Sequence, residues 1–320
     1  MTLDILLLAA GLGTRLRPLT EQIPKALLPV CGSPLLDIHL DHLFSFGTET
    51  IRRVVVNGHH LADQVENHLR KWAPDKGSVR ENWLEFSFEP KIRGTGGALV
   101  QAAPWLDSDP FVVMNADVCF QAPIVEAIAF HRERRHAATM VLVPSPVWPN
   151  VLVVEGRVSK IVREGPVPDG FTFTGLHIVS QEVLDLLPGK GFHDIRDSYQ
   201  HLLQRGRLGA FIWSPRDLTF VDIGTPESYL EAHRLCAGHR RPGDPAHALQ
   251  GAAGVTGYGF VHPTATIGAG AEIISSVVLA NAVVAPGIRV QHAVLGPGVT
   301  VAESVEHALV TTRGTRRIDP

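Results

Sequence analysis

Apolar and polar positions follow two different rhythms along this chain. Up to about residue 236, short and almost unbroken apolar runs alternate with segments whose apolar residues recur at helical spacing. Residues 3–10, LDILLLAA, form a run of the first kind, the pattern of a strand buried on both faces of a parallel sheet. Residues 51–56, 84–88, 111–114 and 138–143 read the same way, with a shorter strand expected at 218–221. Segments 35–46, 61–72, 98–103, 123–135, 181–187 and 195–205 read as helices, the one at 195 capped by Asp194. Pro226 is suited to the first position of a helix running through Cys236. Residues 74–82 read as a solvated loop and 144–176 as a β-rich stretch. This alternation predicts an α/β fold, a Rossmann-like, doubly wound mixed sheet whose ligands bind at the carboxyl ends of the strands.

After residue 236 the rhythm changes. Residues 237–258 are rich in glycine, proline and alanine, the composition of a linker. Val261, Ile267, Ile273 and Leu279 then fall every six residues, and Val284, Val290, Leu295 and Val301 continue the ladder after a slip in register. One aliphatic position per hexad is the signature of a short β-helix over 259–312. The expected organisation is a catalytic domain over 1–236, a linker over 237–258 and the β-helix beyond it.

Composition narrows the class. At 320 residues the chain is long enough for one large α/β domain and a smaller one, and its 45% hydrophobic and 19% charged content is ordinary for a globular protein. A net charge of -3 argues against a dedicated nucleic-acid binder. No apolar run approaches the ~20 residues of a membrane span, and the first strand begins where a signal peptide would stand. A cytoplasmic location follows as the expectation, with Cys31, Cys119 and Cys236 as reduced thiols.

The candidate chemistry gathers where strands end. Gly11 and Gly13 close the first strand and expose backbone N–H groups to an anion, while Thr14, Arg15 and Arg17 add donors and charge. Pro18 and Pro24 stiffen the loop that brings Lys25 back. Asp117 ends the strand at 111–114 and Asp222 the strand at 218–221, placements from which carboxylates share a hard cation such as Mg²⁺. The third glycine and following acid of a dinucleotide fold are missing, as is the GxxxxGK[ST] loop.

Residues 8–20, LAAGLGTRLRPLT, followed by 24–30, PKALLPV, resemble the signature of the sugar-1-phosphate nucleotidyltransferases. The resemblance covers the whole of 1–236, and this family often carries a left-handed β-helix after its catalytic domain. It implies a nucleotide site formed by Leu8, Ala9, Ala10, Gly11, Gly13, Thr14, Arg15, Lys25, Glu89, Gly94, Thr95 and Asn115. Arg15 would grip the β and γ phosphates and Lys25 the α-phosphate region, the two catalytic cations. Asn115-Ala116-Asp117 and Asp222-Ile223-Gly224-Thr225-Pro226 resemble the two metal motifs, which implies Mg²⁺ on Asp117 and Asp222. Arg163-Glu164-Gly165-Pro166 and Thr174-Gly175 resemble the sugar-binding segments, implying Glu164, Thr174 and Gly175 there. Gly165 stands where a lysine usually binds the sugar phosphate, leaving Arg163 or Lys91 as substitutes.

A carboxylate at Glu89 could accept from two parallel N–H groups of a base edge, which favours guanine. The implied reaction takes a nucleoside triphosphate, GTP by preference, and a sugar 1-phosphate of mannose or heptose type. The alternatives are a UTP-dependent uridylyltransferase and a non-catalytic regulatory paralogue, although Arg15, Lys25, Asp117 and Asp222 are all kept. No nucleic-acid or membrane partner is expected. Such coils often build subunit contacts, which implies a homo-oligomer, a dimer. Because every implied ligand precedes the coil, a chain cut near Gly251 is expected to keep nucleotide binding.

Overall fold

The computed structural model describes residues 2–75, 82–119, 123–144, 148–163, 165–214, 220–238 and 254–319. The chain divides into two compact units, one of Met1–Gly11 with His39–Phe220 and the other of Leu12–Ile38 with Val221–Pro320.

The first unit is built on a nine-stranded sheet. Its strands are β1 (Leu3–Leu8), β2 (Ile51–Gly58), β3 (Leu84–Phe88), β4 (Phe111–Asn115), β5 (Ala138–Val143), β6 (Val151–Val154), β7 (Arg157–Ile161), β8 (Thr172–Val179) and β9 (Leu208–Ile212). They lie in the order β3-β2-β1-β4-β8-β5-β9-β7-β6. The first four are parallel, β8 runs antiparallel between β4 and β5, and β5 and β9 are again parallel. The sheet is mixed, as expected. Strand β9 goes beyond the sequence reading: Leu-Gly-Ala-Phe-Ile is short, and its glycine and alanine dilute the strand signal.

The helices in chain order are α1 (Leu35–Ser45), α2 (Ala62–Asp75), α3 (Gly94–Ala102), α4 (Ile124–Arg134), α5 (Ile195–Gln204) and α6 (Pro226–Gly238). One sheet face, through Leu6, Val55, Val113 and Met140, packs with Leu99 of α3 and Tyr199 and Leu202 of α5. On the other, Phe211 of β9 meets Phe130 of α4 at 5.5 Å between ring centroids. Helices on both faces explain why β1, apart from Asp4, and β4, up to its last residue Asn115, are apolar; each such apolar side chain contributes about 1.5–3 kcal/mol on burial. Two local expectations need correction. Gln181–Leu186 is a 3-10 turn, cut short by Pro188 and Gly189, and α3 begins at Gly94 rather than at residue 98. At 218–221 only Val221–Asp222 is extended among the described residues, 215–219 lying outside them.

The chain steps from β1 outward to β2 and β3, then returns to the other side of β1 as β4. In open α/β sheets such a reversal of strand order, here between β1 and β4, is where ligands bind at the carboxyl ends of the strands. Register aligns Leu8 with Asn57 on one side and Asn115 on the other, so three strand ends share a row.

The second unit holds the loop 12–38, α6 and the C-terminal coil. Three parallel ladders make a β-helix: one pairs Val255 with Ile273, Val290 and Val305, a second Val261 with Val278 and Leu295, a third Ile267 with Val284 and Val301. The core positions therefore run 261, 267, 273, 278, 284, 290, 295, 301, intervals of six, six and five. The slip lies at Val278, not Leu279, because one side of each coil is a residue shorter. At the corners Ser275 and His292 adopt φ 46°, and the tighter left-handed turn replaces a residue. Most of the linker at 237–258 lies outside the described residues. Cys31 and Cys236 are paired as a disulfide, which corrects the expectation of reduced thiols for these two; Cys119 is free. Among the described residues no helix is long and apolar enough to cross a membrane.

Candidate active site

The first unit presents its polar groups at the carboxyl ends of β1, β2 and β4. Asn57 is 3% exposed, and its Oδ1 accepts from the backbone N–H of Ala9 at 2.7 Å and of Ala10 at 3.3 Å. Its Nδ2 donates to Glu89 Oε1 at 2.7 Å, while Glu89 Oε2 accepts from the Arg93 backbone at 3.2 Å. His59 Nδ1 meets the Glu89 carbonyl oxygen at 2.8 Å. Glu89 is itself 1% exposed, so an edge-on approach by a base does not match its burial; its carboxylate is already coordinated by protein donors. Ala9 and Ala10, which the resemblance places in the nucleotide site, thus have their N–H groups held by Asn57. Asn57 is not among the residues that the sequence singles out for this task. The signal was an amide at the end of an otherwise apolar strand.

Asn115 follows in the same row. Gly175 packs on it at φ 82°, where an added Cβ would lie 2.6 Å from Asn115 Nδ2, so only glycine fits. Thr174 is buried, its hydroxyl donating to the Val141 carbonyl at 2.9 Å and accepting from Leu176 N–H at 3.2 Å. That hydroxyl serves the sheet. Glu164 lies outside the described residues. Of the two substitute cations, Arg163 pairs with Asp197 and Lys91 is exposed. Gly94 opens α3 in the left-handed region at φ 68°, followed by Thr95, and the next two N–H groups, of Gly96 and Gly97, are directed at the His193 carbonyl.

Asp117 sits half-buried beyond β4, beside His39 of α1. Burial pushes the His39 imidazole down to about 4, against the opposing pull of the Val118 backbone and Asp117. It is therefore neutral near pH 7, a second residue that sequence reading passed over.

The second unit gathers charge. Gly13, at φ 58°, turns the chain into a 3-10 turn at Thr14–Leu16; an added Cβ there would lie 2.7 Å from Thr20 Cγ2. Thr20 Oγ1 closes the loop by donating to the Gly13 carbonyl at 2.8 Å. The folded loop delivers two cations to one carboxylate: Lys25 Nζ lies 3.1 Å from Asp222 Oδ1, and Arg15 Nη2 lies 3.6 Å from Asp222 Oδ2. Lys25 is buried, whereas Arg15 and Asp222 keep 61% and 49% of their side chains exposed. Two cations of the folded loop thus meet on one half-exposed carboxylate. Tyr229 and His233 of α6 anchor the same loop through the Pro29 carbonyl, at 2.6 and 3.1 Å.

Asp117 and Asp222 belong to different units. Both offer oxygen donors with solvent access, the donor chemistry that Mg²⁺ takes when water and phosphate complete its shell. Among the described residues no group of three His, Cys, Asp or Glu could hold a metal without such help.

A model of the family described as nucleotidyl transferase matches residues 5–238. Over 275 residues the chain is 30% identical to the mannose-1-phosphate guanylyltransferase catalytic subunit beta of Xenopus tropicalis, covering 82% of this chain and 72% of that one. It is 28% identical over 246 residues to the UTP--glucose-1-phosphate uridylyltransferase of a Synechocystis species, covering 72% of this chain and 62% of that one. HddC from Yersinia pseudotuberculosis has a similar fold, with a TM-score of 0.61 at 24% identity over 74% of this chain and all of that one.

Proposed function

The chain belongs to the nucleotidyl transferase family, and from that premise we propose that it transfers a guanylyl group from GTP to a mannose-type sugar 1-phosphate. A phosphate oxygen of the sugar attacks the α-phosphorus in line, a new P–O bond forms, the bond to the β-phosphate breaks, and pyrophosphate leaves. No covalent enzyme intermediate is needed. The protein's task is to hold two mutually repelling phosphates together and to neutralise the charge that builds between them.

The observation that carries this reading is the meeting of Arg15 and Lys25 on Asp222 inside the family's signature loop. The Asp222 carboxylate stands between the two cations and offsets their mutual repulsion. A triphosphate offers them stronger partners, with Arg15 on the β and γ phosphates and Lys25 on the α-phosphate. Mg²⁺, held by Asp117 and Asp222, would supply further charge neutralisation when bound. Glu164, Thr174 and Gly175 are assigned to the sugar by the same resemblance, and a cytoplasmic homodimer belongs to the same reading.

Guanine is favoured by the mannose-1-phosphate relatives, uracil by the uridylyltransferase. A pyrophosphate-release screen decides, crossing four nucleoside triphosphates with a panel of sugar 1-phosphates at saturating Mg²⁺. The expected result is fastest release with GTP and mannose 1-phosphate. Fastest release with UTP would transfer the chain to the uridylyl branch, and no release with any pair would sink the catalytic reading.

A further inference from the structure

The coil ends in an antiparallel hairpin, Ala308–Thr311 with Gly314–Arg317, and this hairpin touches the signature loop at three places. Arg316 Nη1 donates to the backbone carbonyl of Arg15. Gln22 Nε2 donates to Thr312 Oγ1 at 2.7 Å, and Arg313 lies 3.7 Å from Glu21. The chain then continues into Ile318, which is buried, and Asp319, whose N–H lies 3.3 Å from Glu227 Oε1 at the start of α6. Arg316 also lowers the Glu227 carboxyl, the smallest of several influences on it.

These contacts have a common geometry. The turn at Thr14–Leu16 uses the carbonyls of Gly13 and Thr14 for its own bonds, to Leu16 and Arg17. The Arg15 carbonyl is left over, as carbonyls at the end of any helical turn are. A guanidinium is a fitting cap for it, since it brings positive charge to the negative end of the turn. Exposed polar pairs of this kind add little to stability. Their consequence is to fix the backbone from which the Arg15 side chain extends, before any nucleotide arrives.

We infer that the C-terminal hairpin clamps the signature loop, with Arg316 as a positioning residue that sets Arg15 for the triphosphate. The inference rests on the proposed role of Arg15 as the phosphate grip. It also reverses the expectation that the coil is dispensable for nucleotide binding, since a chain cut near Gly251 lacks the clamp.

The test uses the full chain. Arg316→Ala should raise KM for the nucleoside triphosphate about tenfold, the scale of one charge-assisted hydrogen bond, with kcat and the sugar 1-phosphate KM within about twofold. Arg316→Lys, which can still donate to a carbonyl, should recover most of the loss. Arg317→Ala, on the same hairpin, should leave both constants unchanged. Amide hydrogen exchange without nucleotide should speed up across residues 12–25 in Arg316→Ala alone. Unchanged exchange in that loop would overturn the clamp. Faster exchange with an unchanged KM, in a protein where Arg15→Ala does raise KM, would overturn the positioning role. If Arg15→Ala itself leaves KM unchanged, the phosphate-grip reading fails instead, and the exchange data still judge the clamp.

Discussion

Two polar clusters in this protein look alike as inventories and behave as opposites. Arg15, Lys25 and Asp222 meet through ion pairs of 3.1 and 3.6 Å with two of the three side chains about half exposed. Asn57 and Glu89 meet at 2.7 Å and are at most 3% exposed, with each functional atom matched to a donor or acceptor of the protein. In the first cluster two of the three charged side chains face solvent, where water screens their pairing and an incoming anion can compete for Arg15. The second is complete as it stands, and a buried network in that condition fixes structure. Charge that is exposed and mutually shielded is therefore the better marker of a substrate site than charge that is buried and satisfied.

Substitution should separate the two clusters by what is lost. Arg15→Ala, Lys25→Ala, Asp117→Ala or Asp222→Ala should each lower kcat/KM by about 10²–10³-fold or more at saturating Mg²⁺. The urea midpoint should stay close to that of the parent in the three surface cases. A variant that kept near-native turnover would remove its residue from the assignment.

Asn57→Ala should do the reverse first. It strands the N–H groups of Ala9 and Ala10 and takes one donor from a buried carboxylate, a loss of about 2–4 kcal/mol in urea unfolding. If stability held and only nucleotide KM rose, the buried network would belong to the site as directly as the exposed one.

Acid should attack the buried region too. His39 and His177 are held neutral by burial, at about 4 and about 3, below the ordinary 6.5. The unfolded chain takes up protons from pH 6.5 downward while the folded chain does not, so their contribution is fully present above pH 6.5. It is lost as pH falls toward 4, at about 1.4 kcal/mol per pH unit for each histidine. Unfolding curves between pH 7 and 4.5 should show this slope, and His177→Phe should flatten it; an unaltered slope would exclude His177 as a source.

The smallest effect expected is that of Glu89→Gln. A carboxylate that reads guanine would lose GTP use roughly tenfold more than UTP use on this change. Its burial predicts instead a modest loss shared by both nucleotides, because what changes is the support of Asn57. Competition of the two nucleotides in one assay measures the ratio directly.

Much of this architecture was written in local patterns. The apolar runs at residues 3–10, 51–56 and 111–114, the glycines at 11 and 13, and the near-hexad ladder after 259 each encode a backbone state through nearby residues. The sheet, the signature loop and the coil followed from them. Even the slip in the ladder was visible, although its five-residue side became clear only with the corner at Ser275. What tertiary structure alone decided was the choice of partners. Asn57 could have bonded any donor, Arg316 any acceptor, and Cys31 stands 205 residues from Cys236. Periodicity and backbone strain are properties of neighbours in sequence, whereas the pairing of polar groups depends on which distant segments the fold brings within about 3 Å of one another.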